Sequence, residues 1–228
     1  MNEKLIIVGN TSFAEIAYEY FLHDSPYEIV AFSVEDEYIK EKSIFGLPVV
    51  AFEQLDNLFS PNSHDIFVAA TYTQLNRLRT RLAEDIKSRG YRLASYISSK
   101  AFLWSNVKLG EHCFIFEDNT IQPFVSIGSN NIIWSGNHIG HHTKIGDNNF
   151  ISSHVVISGH CNVNDNCFFG VNSTLANNLN ISDDALIGAG AVLTKNTKKG
   201  GVYIGNPARI TGKSSYSAFG IEAAIEVD

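Results

Sequence analysis

The stretch Ile133-Trp134-Ser135-Gly136-Asn137-His138-Ile139-Gly140-His141-His142-Thr143-Lys144-Ile145-Gly146-Asp147-Asn148-Asn149-Phe150-Ile151 returns an isoleucine at every sixth residue. The beat extends in both directions without a slip: Leu103, Leu109, Ile115, Ile121, Ile127, Ile133, Ile139, Ile145, Ile151, Ile157, Val163, Phe169, Leu175, Ile181, Ile187 and Leu193. The residues between are polar and irregular, so neither a helix period of 3.6 nor a strand period of 2 accounts for it. A sustained six-residue beat predicts a three-sided parallel β-helix, each hexad being one short strand and one turn. Three hexads then close a coil of about 18 residues, coils stack at roughly 4.8 Å, and about five coils are expected. Cys113, Cys161 and Cys167 each follow a hexad aliphatic by four residues, a slot shared with Val125, Thr143, Val155, Ser173, Ala185 and Ala191. All three cysteines are therefore expected to be small core residues rather than disulfide partners or nucleophiles.

Outward from the repeat, residues 1 to about 97 alternate strand and helix. Lys4-Leu5-Ile6-Ile7-Val8 reads as a buried strand, Gly9-Asn10-Thr11-Ser12 as a turn with helix-capping residues, and Phe13 to Leu22 as a helix. Tyr27 to Phe32, Leu47 to Ala51 and Asp65 to Ala70 are further strands, and Leu75 to Arg89 is an amphipathic helix ending at Gly90. The expectation is a small open Rossmann-like α/β sheet over residues 1–98, with its ligand site at the carboxyl ends of the strands. The β-helix is expected over residues 99–210. Past Leu193 the beat dissolves into Gly205-Asn206-Pro207-Ala208, a departure from the solenoid, and the tail 211–228 is either a short helix through Ala218 to Ile225 or disordered.

The 228 residues carry 44% hydrophobic residues and a formal charge of −7. That acidity argues against a nucleic-acid or anionic-membrane surface, which needs clustered Lys and Arg. An anionic small molecule remains compatible, because backbone amides at a helix start hold phosphate without net positive charge. No apolar run reaches the ~18 residues of a membrane span, and Met1 to Val8 is too short for a signal sequence. The chain is expected to be cytoplasmic.

A hexad solenoid closed by a Gly-Asn-Pro-Ala segment, with an α/β domain ahead of it, resembles the bacterial sugar acyltransferases of the sialic acid O-acetyltransferase and nucleotide-amino-sugar N-acetyltransferase family. The resemblance runs over roughly residues 3 to 210 and implies a left-handed β-helix. It also implies a homotrimer with intersubunit active sites, acetyl-CoA between adjacent β-helices, and a sugar nucleotide leaning on the α/β domain, with no metal. The activity implied is N-acetylation of a nucleotide-linked 4-amino-dideoxy sugar made for surface polysaccharide such as O-antigen.

Acyl transfer needs a base for the nucleophile and a donor for the oxyanion formed from the thioester carbonyl. Ile139-Gly140-His141-His142-Thr143-Lys144-Ile145-Gly146-Asp147 matches the family's catalytic stretch, with His141 at the position of the base. Gly159 lies 18 residues later, so the coil count stacks it on His141, and it aligns with the glycine whose N–H meets the thioester carbonyl. Relatives commonly carry an acidic residue directly after the base, where this chain has His142, itself expected to stack on His160. Trp134 stands where relatives often have a small polar residue near the sugar. For acetyl-CoA the resemblance points to Gly188-Ala189-Gly190, Pro207 and Ala208; Lys198 and Lys199 either meet its phosphates or form a solvated charge run. In the α/β domain Gly9, Asn10, Thr11 and Ser12 occupy the phosphate-turn position, although only the first glycine of the dinucleotide fingerprint is present, which argues against NAD. Glu35 or Asp36 reads the base or ribose or else marks a surface turn, and Thr71 and Tyr72 are expected at the same sheet edge.

Three alternatives stand beside this reading: O-acetylation of a sialic-acid-like sugar, a zinc-dependent hydratase built from histidines converging across subunits, and a non-catalytic trimerising scaffold.

Overall fold

The computed structural model describes residues 3–222. The first unit is built from β1 (Lys4–Val8), α1 (Ser12–His23), β2 (Glu28–Val34), β3 (Ser43–Ile44), β4 (Leu47–Ala51), α2 (Leu55–Leu58), β5 (His64–Val68), α3 (Arg77–Ser88) and β6 (Arg92–Leu93). The sheet order is β3-β4-β2-β1-β5-β6, parallel except for the β3–β4 hairpin. The order reverses at β1, which leaves a crevice at the carboxyl ends of β1 and β5, where open α/β sheets bind ligands. Strands are apolar on both faces because helices cover both: Leu5, Ile6, Ile7 and Ile66 are wholly buried. The helix expected from Leu75 begins instead at Arg77. Gln74, Leu75 and Asn76 hold φ of 52°, 49° and 69°, a left-handed turn that the helical spacing of their side chains does not reveal.

The second unit is a left-handed β-helix whose strands pair in parallel with residue n opposite n+18: Ile115, Ile133, Ile151, Phe169 and Ile187 form one such column. Two-residue strands line three faces, starting at Tyr96–Ile97 (face one), Phe102–Leu103 (face two) and Lys108–Leu109 (face three). The hexad aliphatics point inward, and from Ile115 to Leu193 they are at most 3% exposed. The three cysteines are free and wholly buried, as expected. Burial pushes the Cys113 thiol up to about 11, consistent with an inert core residue.

A second six-residue rhythm sets the turns. From His112 to Gly190 every sixth residue has φ between 54° and 75°. Asn, Asp, His and Gly tolerate this left-handed conformation best, and they fill all but one of these positions, the exception being Phe124. His112, His142, His154 and His160 all stand there, so most histidines of the repeat answer a backbone demand. Asparagines in the inward slot form ladders of their own. Asn119 Oδ1 accepts from the Asn137 N–H at 3.2 Å and Asn137 Oδ1 from the Val155 N–H at 2.7 Å, while Asn131 and Asn149 repeat the pattern up to Cys167. These side chains satisfy amides that a turn would otherwise leave unpaired inside the prism.

Face one is aromatic on its outer side, and the sheet unit docks there. Phe13 and Phe21 of α1 pack against Phe114 at 5.6 and 5.8 Å, and Phe21 against Tyr96 at 5.5 Å. Each such buried ring contributes roughly 1.5–3 kcal/mol. A polar node fixes the register. His112 Nε2 accepts from the Val68 N–H at the end of β5 (2.9 Å), and its Nδ1 faces Asn130 Oδ1 at 2.7 Å, which makes Nδ1 the protonated nitrogen. Arg79, 1% exposed, donates to Asn130, to the carbonyls of Asn148 and Asn149 on the β-helix, and to those of Ala70 and Thr71. Its acceptors are all neutral, and burial lowers its pKa to about 9.

At the far end Gly201–Ile204 continues face one, and Arg209–Ser214 folds back antiparallel on it. That strand was not expected in the tail. A helical turn follows at Ser215–Ala218, ahead of the span Ala218 to Ile225, whose last three residues lie outside the described ones. Tyr216 Oη donates to Asp184 Oδ2 (2.8 Å), whose other oxygen accepts from Arg77 at 2.5 Å.

Burial holds the His112 pKa down to about 3, against an ordinary 6.5. The unfolded chain therefore binds more protons between those values, and stability that is full above pH 6.5 falls as the pH drops through the window. His112→Gln keeps an acceptor without the charge, so its melting temperature should decline less steeply than wild type between pH 7 and 4. Arg79→Leu strands several buried carbonyls and should lower urea stability by about 3 kcal/mol or more.

Candidate functional site

The turn after each face-two strand forms one corner of the prism, and His141 sits on it. Gly140 precedes it because a Cβ there would lie 2.5 Å from the Gly159 N. Gly159 stacks over His141 as the 18-residue count expects: a Cβ on Gly159 would meet His141 Cε1 at 3.0 Å and Nε2 at 3.1 Å. The rungs are tied by the His160 N–H donating to the His141 carbonyl at 3.0 Å. The His141 N–H donates to Gln122 Oε1 at 2.9 Å. The Gly159 N–H, one rung on, has no acceptor among the described residues, although Gly159 is buried. An N–H donor without a partner next to an exposed imidazole suits a developing oxyanion.

His141 Nδ1 lies 3.1 Å from His142 Nδ1, so one ring donates to the other, and Nε2 is left toward Gly159. His142 is stacked between Phe124 (4.7 Å, 32°) and His160 (4.9 Å, 19°), the column expected of residues 18 apart. The three imidazoles make one exposed cluster with a nitrogen of each within 4.8 Å of the others.

A second corner, after the face-one strands, carries a groove of about 380 Å³ between the two units. Tyr72, Trp134, Phe150, Ser152, Ser153, Phe168, Gly170, Val171 and Ala189 line it. Tyr72, in the loop after the carboxyl end of β5, reaches across to the β-helix, its ring 4.9 Å from Phe150 and 5.1 Å from Phe168. Its loop is held by Arg79 at Thr71 and by Asn76, whose Nδ2 donates to the Cys167 carbonyl at 3.3 Å. Three consecutive left-handed residues, Gln74 to Asn76, cost strain that such anchoring sustains. Trp134 stacks on Phe116 at 4.4 Å, and its buried Nε1 has no partner among the described residues. The groove runs into the last coil, where Gly188, Ala189 and Gly190 meet the closing segment. Ile204 Cγ2 would lie 2.9 Å from a Cβ on Gly188, the Val192 N–H donates to the Gly205 carbonyl, and the Ala208 N–H donates to the Val192 carbonyl. Ala208 is thus brought beside Val192, two residues past Gly190. Lys198 and Lys199 are exposed on the same terminal coil.

At the sheet crevice Gly9 has φ of 140°, and a Cβ there would strike the Ala69 carbonyl at 2.9 Å, so the turn is open only to glycine. Thr11 caps α1 in extended conformation without a side-chain bond, leaving the first amides of the helix unspent, and Thr11 and Ser12 are exposed. Asn10 Nδ2 donates to the Tyr38 carbonyl at 2.9 Å. Glu35 is engaged by both terminal nitrogens of Arg81 (3.0 and 3.2 Å), whereas Asp36 is exposed.

Within one chain these pieces form two groups. His141 and Gly159 meet at one corner; Tyr72, Trp134, Gly188–Gly190, Pro207 and Ala208 gather at another, a full prism side away, six residues or roughly 20 Å of extended chain at most. Sequence reasoning did not single out Arg79, Phe150 or Phe168. A signal existed for Arg79, an arginine in phase with the buried Leu82, Ala83 and Ile86 of α3.

The family described as bacterial transferase hexapeptide (six repeats) matches residues 124–159, a span that holds His141 and ends on Gly159. Among solved structures, PerB from Caulobacter crescentus, determined with CoA and GDP-perosamine, is 25% identical, with a TM-score of 0.82 over 92% of this chain and 97% of its own. The acetyltransferase domain of PglB from Neisseria gonorrhoeae is 22% identical, with a TM-score of 0.82 over 92% of this chain and 100% of its own. WeeI from Acinetobacter baumannii is 20% identical, with a TM-score of 0.59 over 91% and 99%. The last two speak to the fold. No curated protein matches the sequence.

Proposed function

We propose that this chain, whose residues 124–159 match the bacterial hexapeptide transferases and whose fold is a left-handed β-helix behind an α/β unit, is an acetyl-CoA-dependent N-acetyltransferase acting on the amino group of a nucleotide-linked 4-amino-dideoxy sugar. The observation that carries the reading is the pairing of the His141 ring with the unspent Gly159 N–H on the next rung. The likeness to PerB, solved with CoA and a GDP-linked amino sugar, supports the substrate class.

In this mechanism the sugar amine attacks the thioester carbonyl carbon and forms a C–N bond. The Gly159 N–H donates to the oxygen as it gains negative charge, and His141 Nε2 takes the proton released by the nitrogen. Collapse breaks the C–S bond, and the protonated imidazole returns the proton to the departing thiolate. His142 acts as a positioning residue: with its Nδ1 as acceptor, it keeps the His141 proton on Nδ1 and Nε2 free. A neutral imidazole there takes the place of the acidic residue usual after the base.

The sugar nucleotide is assigned to the crevice and groove, its phosphates to the turn Gly9, Asn10, Thr11 and Ser12, with Asp36, Thr71 and Tyr72 alongside. Acetyl-CoA is assigned to Gly159, Gly188, Ala189, Gly190, Pro207 and Ala208. Because those groups sit at separate corners, the complete site needs a second copy, consistent with a homotrimer. Face two supports this: it offers Phe102, Thr120, His138, Val156, Thr174 and Val192 outward, and Phe102 and Trp104 are exposed. Face three, with Lys108, Lys144, Asn162 and Asn180 outward and exposed, reads as a solvent face. No helix of the described residues is long and apolar enough to cross a membrane. Acetyl-CoA and nucleotide sugars as substrates place the reaction in the cytoplasm, ahead of surface polysaccharide assembly.

Thiol release from acetyl-CoA should be seen with a UDP-, GDP- or dTDP-linked 4-amino sugar, and His141→Ala should reduce kcat by about 10²–10⁴. Turnover only of a hydroxyl-bearing sialic-acid-like sugar, or a His141→Ala rate equal to wild type, would overturn the assignment. His142→Ala should lower kcat with little change in the KM for acetyl-CoA. His142→Glu, which retains an acceptor, should recover the rate, whereas His142→Lys, a donor only, should not.

A further inference from the structure

We propose that the corner formed by His141, His142 and His160 is a site for one zinc ion per chain, and that the bound ion withdraws His141 from acyl transfer. The three rings present one nitrogen each within 4.8 Å of one another. A tetrahedral ion with Zn–N of about 2.0–2.1 Å requires ligand nitrogens roughly 3.3–3.4 Å apart. His141 Nδ1 and His142 Nδ1, at 3.1 Å, already stand near that spacing. The ring of His160 lies 5.0 Å from that of His141 and 4.9 Å from that of His142, close enough for small side-chain rotations to complete the set.

The backbone prearranges this triad. His142 and His160 both occupy the left-handed turn position, at φ of 59°, on adjacent rungs joined by the His160 N–H to His141 carbonyl bond. Their separation is therefore fixed by the coil stacking rather than by a mobile loop. The donors are all imidazole nitrogens, with no carboxylate or thiolate in the cluster, a set that favours Zn²⁺ and its borderline neighbours over Mg²⁺ or Ca²⁺. Three protein ligands leave a fourth position for water. All three side chains are exposed on the single chain, so an ion reaches them without opening the fold of the chain.

An ion on Nδ1 of both His141 and His142 takes the place of their shared hydrogen bond, and the His141 hydrogen then sits on Nε2, which has no lone pair left for the amine proton. Zinc binding and acetyl transfer therefore exclude each other. The effect on turnover rests on His141 being the base, whereas the binding itself does not.

The test pairs calorimetry with turnover. Zinc chloride titrated into chelator-treated full-length protein should bind at one ion per chain. His160→Asn should weaken that binding on the order of tenfold or more. Asparagine is native at the equivalent turn positions 148, 166, 172 and 178, so the variant keeps the backbone. In chelator His160→Asn should turn over at the wild-type rate, while zinc that silences wild type should leave the variant active. Magnesium chloride should neither bind nor inhibit. Absence of zinc binding to wild type, or binding unchanged in both His160→Asn and His142→Asn, would overturn the site. Binding as described in a protein that acetylates no amino-sugar nucleotide would keep the site and remove only its effect on catalysis.

Discussion

The parallel ladder that pairs each residue with the one 18 positions later governs the rest of the molecule. Once a coil closes in 18 residues, side chains of one column are held a strand spacing apart, and any chemistry written into one rung is aligned with the next. The constraint is met from inside and at the corners. Inside, hexad aliphatics and asparagine ladders fill the prism and satisfy its amides. At the corners, the left-handed residue of every turn lets a six-residue side close. The Gly140–His141–Gly159 arrangement is a local use of that general geometry, with glycine wherever a side chain would separate ring from amide.

The sheet unit is joined to this rigid rod by an apolar face and a polar lock. Aromatic rings on face one replace the polar residues that a free face would show, as face three does show. Arg79 and His112 share Asn130 and bind the carboxyl end of β5 and the loop after it to successive turns. A buried guanidinium with only neutral acceptors is stabilised by the number of its hydrogen bonds rather than by a counter-charge. Its effect is to fix the loop that places Tyr72 over Phe150 and Phe168, and so to shape the groove.

Much of this was legible in the sequence because it is periodic. The hexad beat specifies the β-helix, the inward cysteines, the stacking of Gly159 on His141 and that of His142 on His160. What escaped is aperiodic or shares its signal with something else. The left-handed turn at Gln74 to Asn76 hides behind helical spacing, since Leu75 is buried whether or not it is helical. Tyr72 lies on the β-helix because the loop crosses between units, and no local pattern reports a contact with residues 150 and 168. Four of the repeat's six histidines are explained by backbone conformation, so histidine richness alone gave no guide to which of them carries chemistry. The strand Arg209–Ser214 forms on an edge that only the folded coil provides.

In the proposed site the base at one corner of one copy meets the groove at another corner of a second copy. Its most direct test is subunit mixing. His141→Ala and Ala189→Trp, the latter placed to fill the groove end, should each be inactive alone. Random mixing of the two chains into trimers places an intact base beside an intact groove in roughly a quarter of all sites. Co-expression of the two chains, with mixed oligomers verified by native mass spectrometry, should restore up to about that fraction of the acetyl transfer. Mixed oligomers with no recovered activity, or a chain that remains monomeric while active, would contradict it.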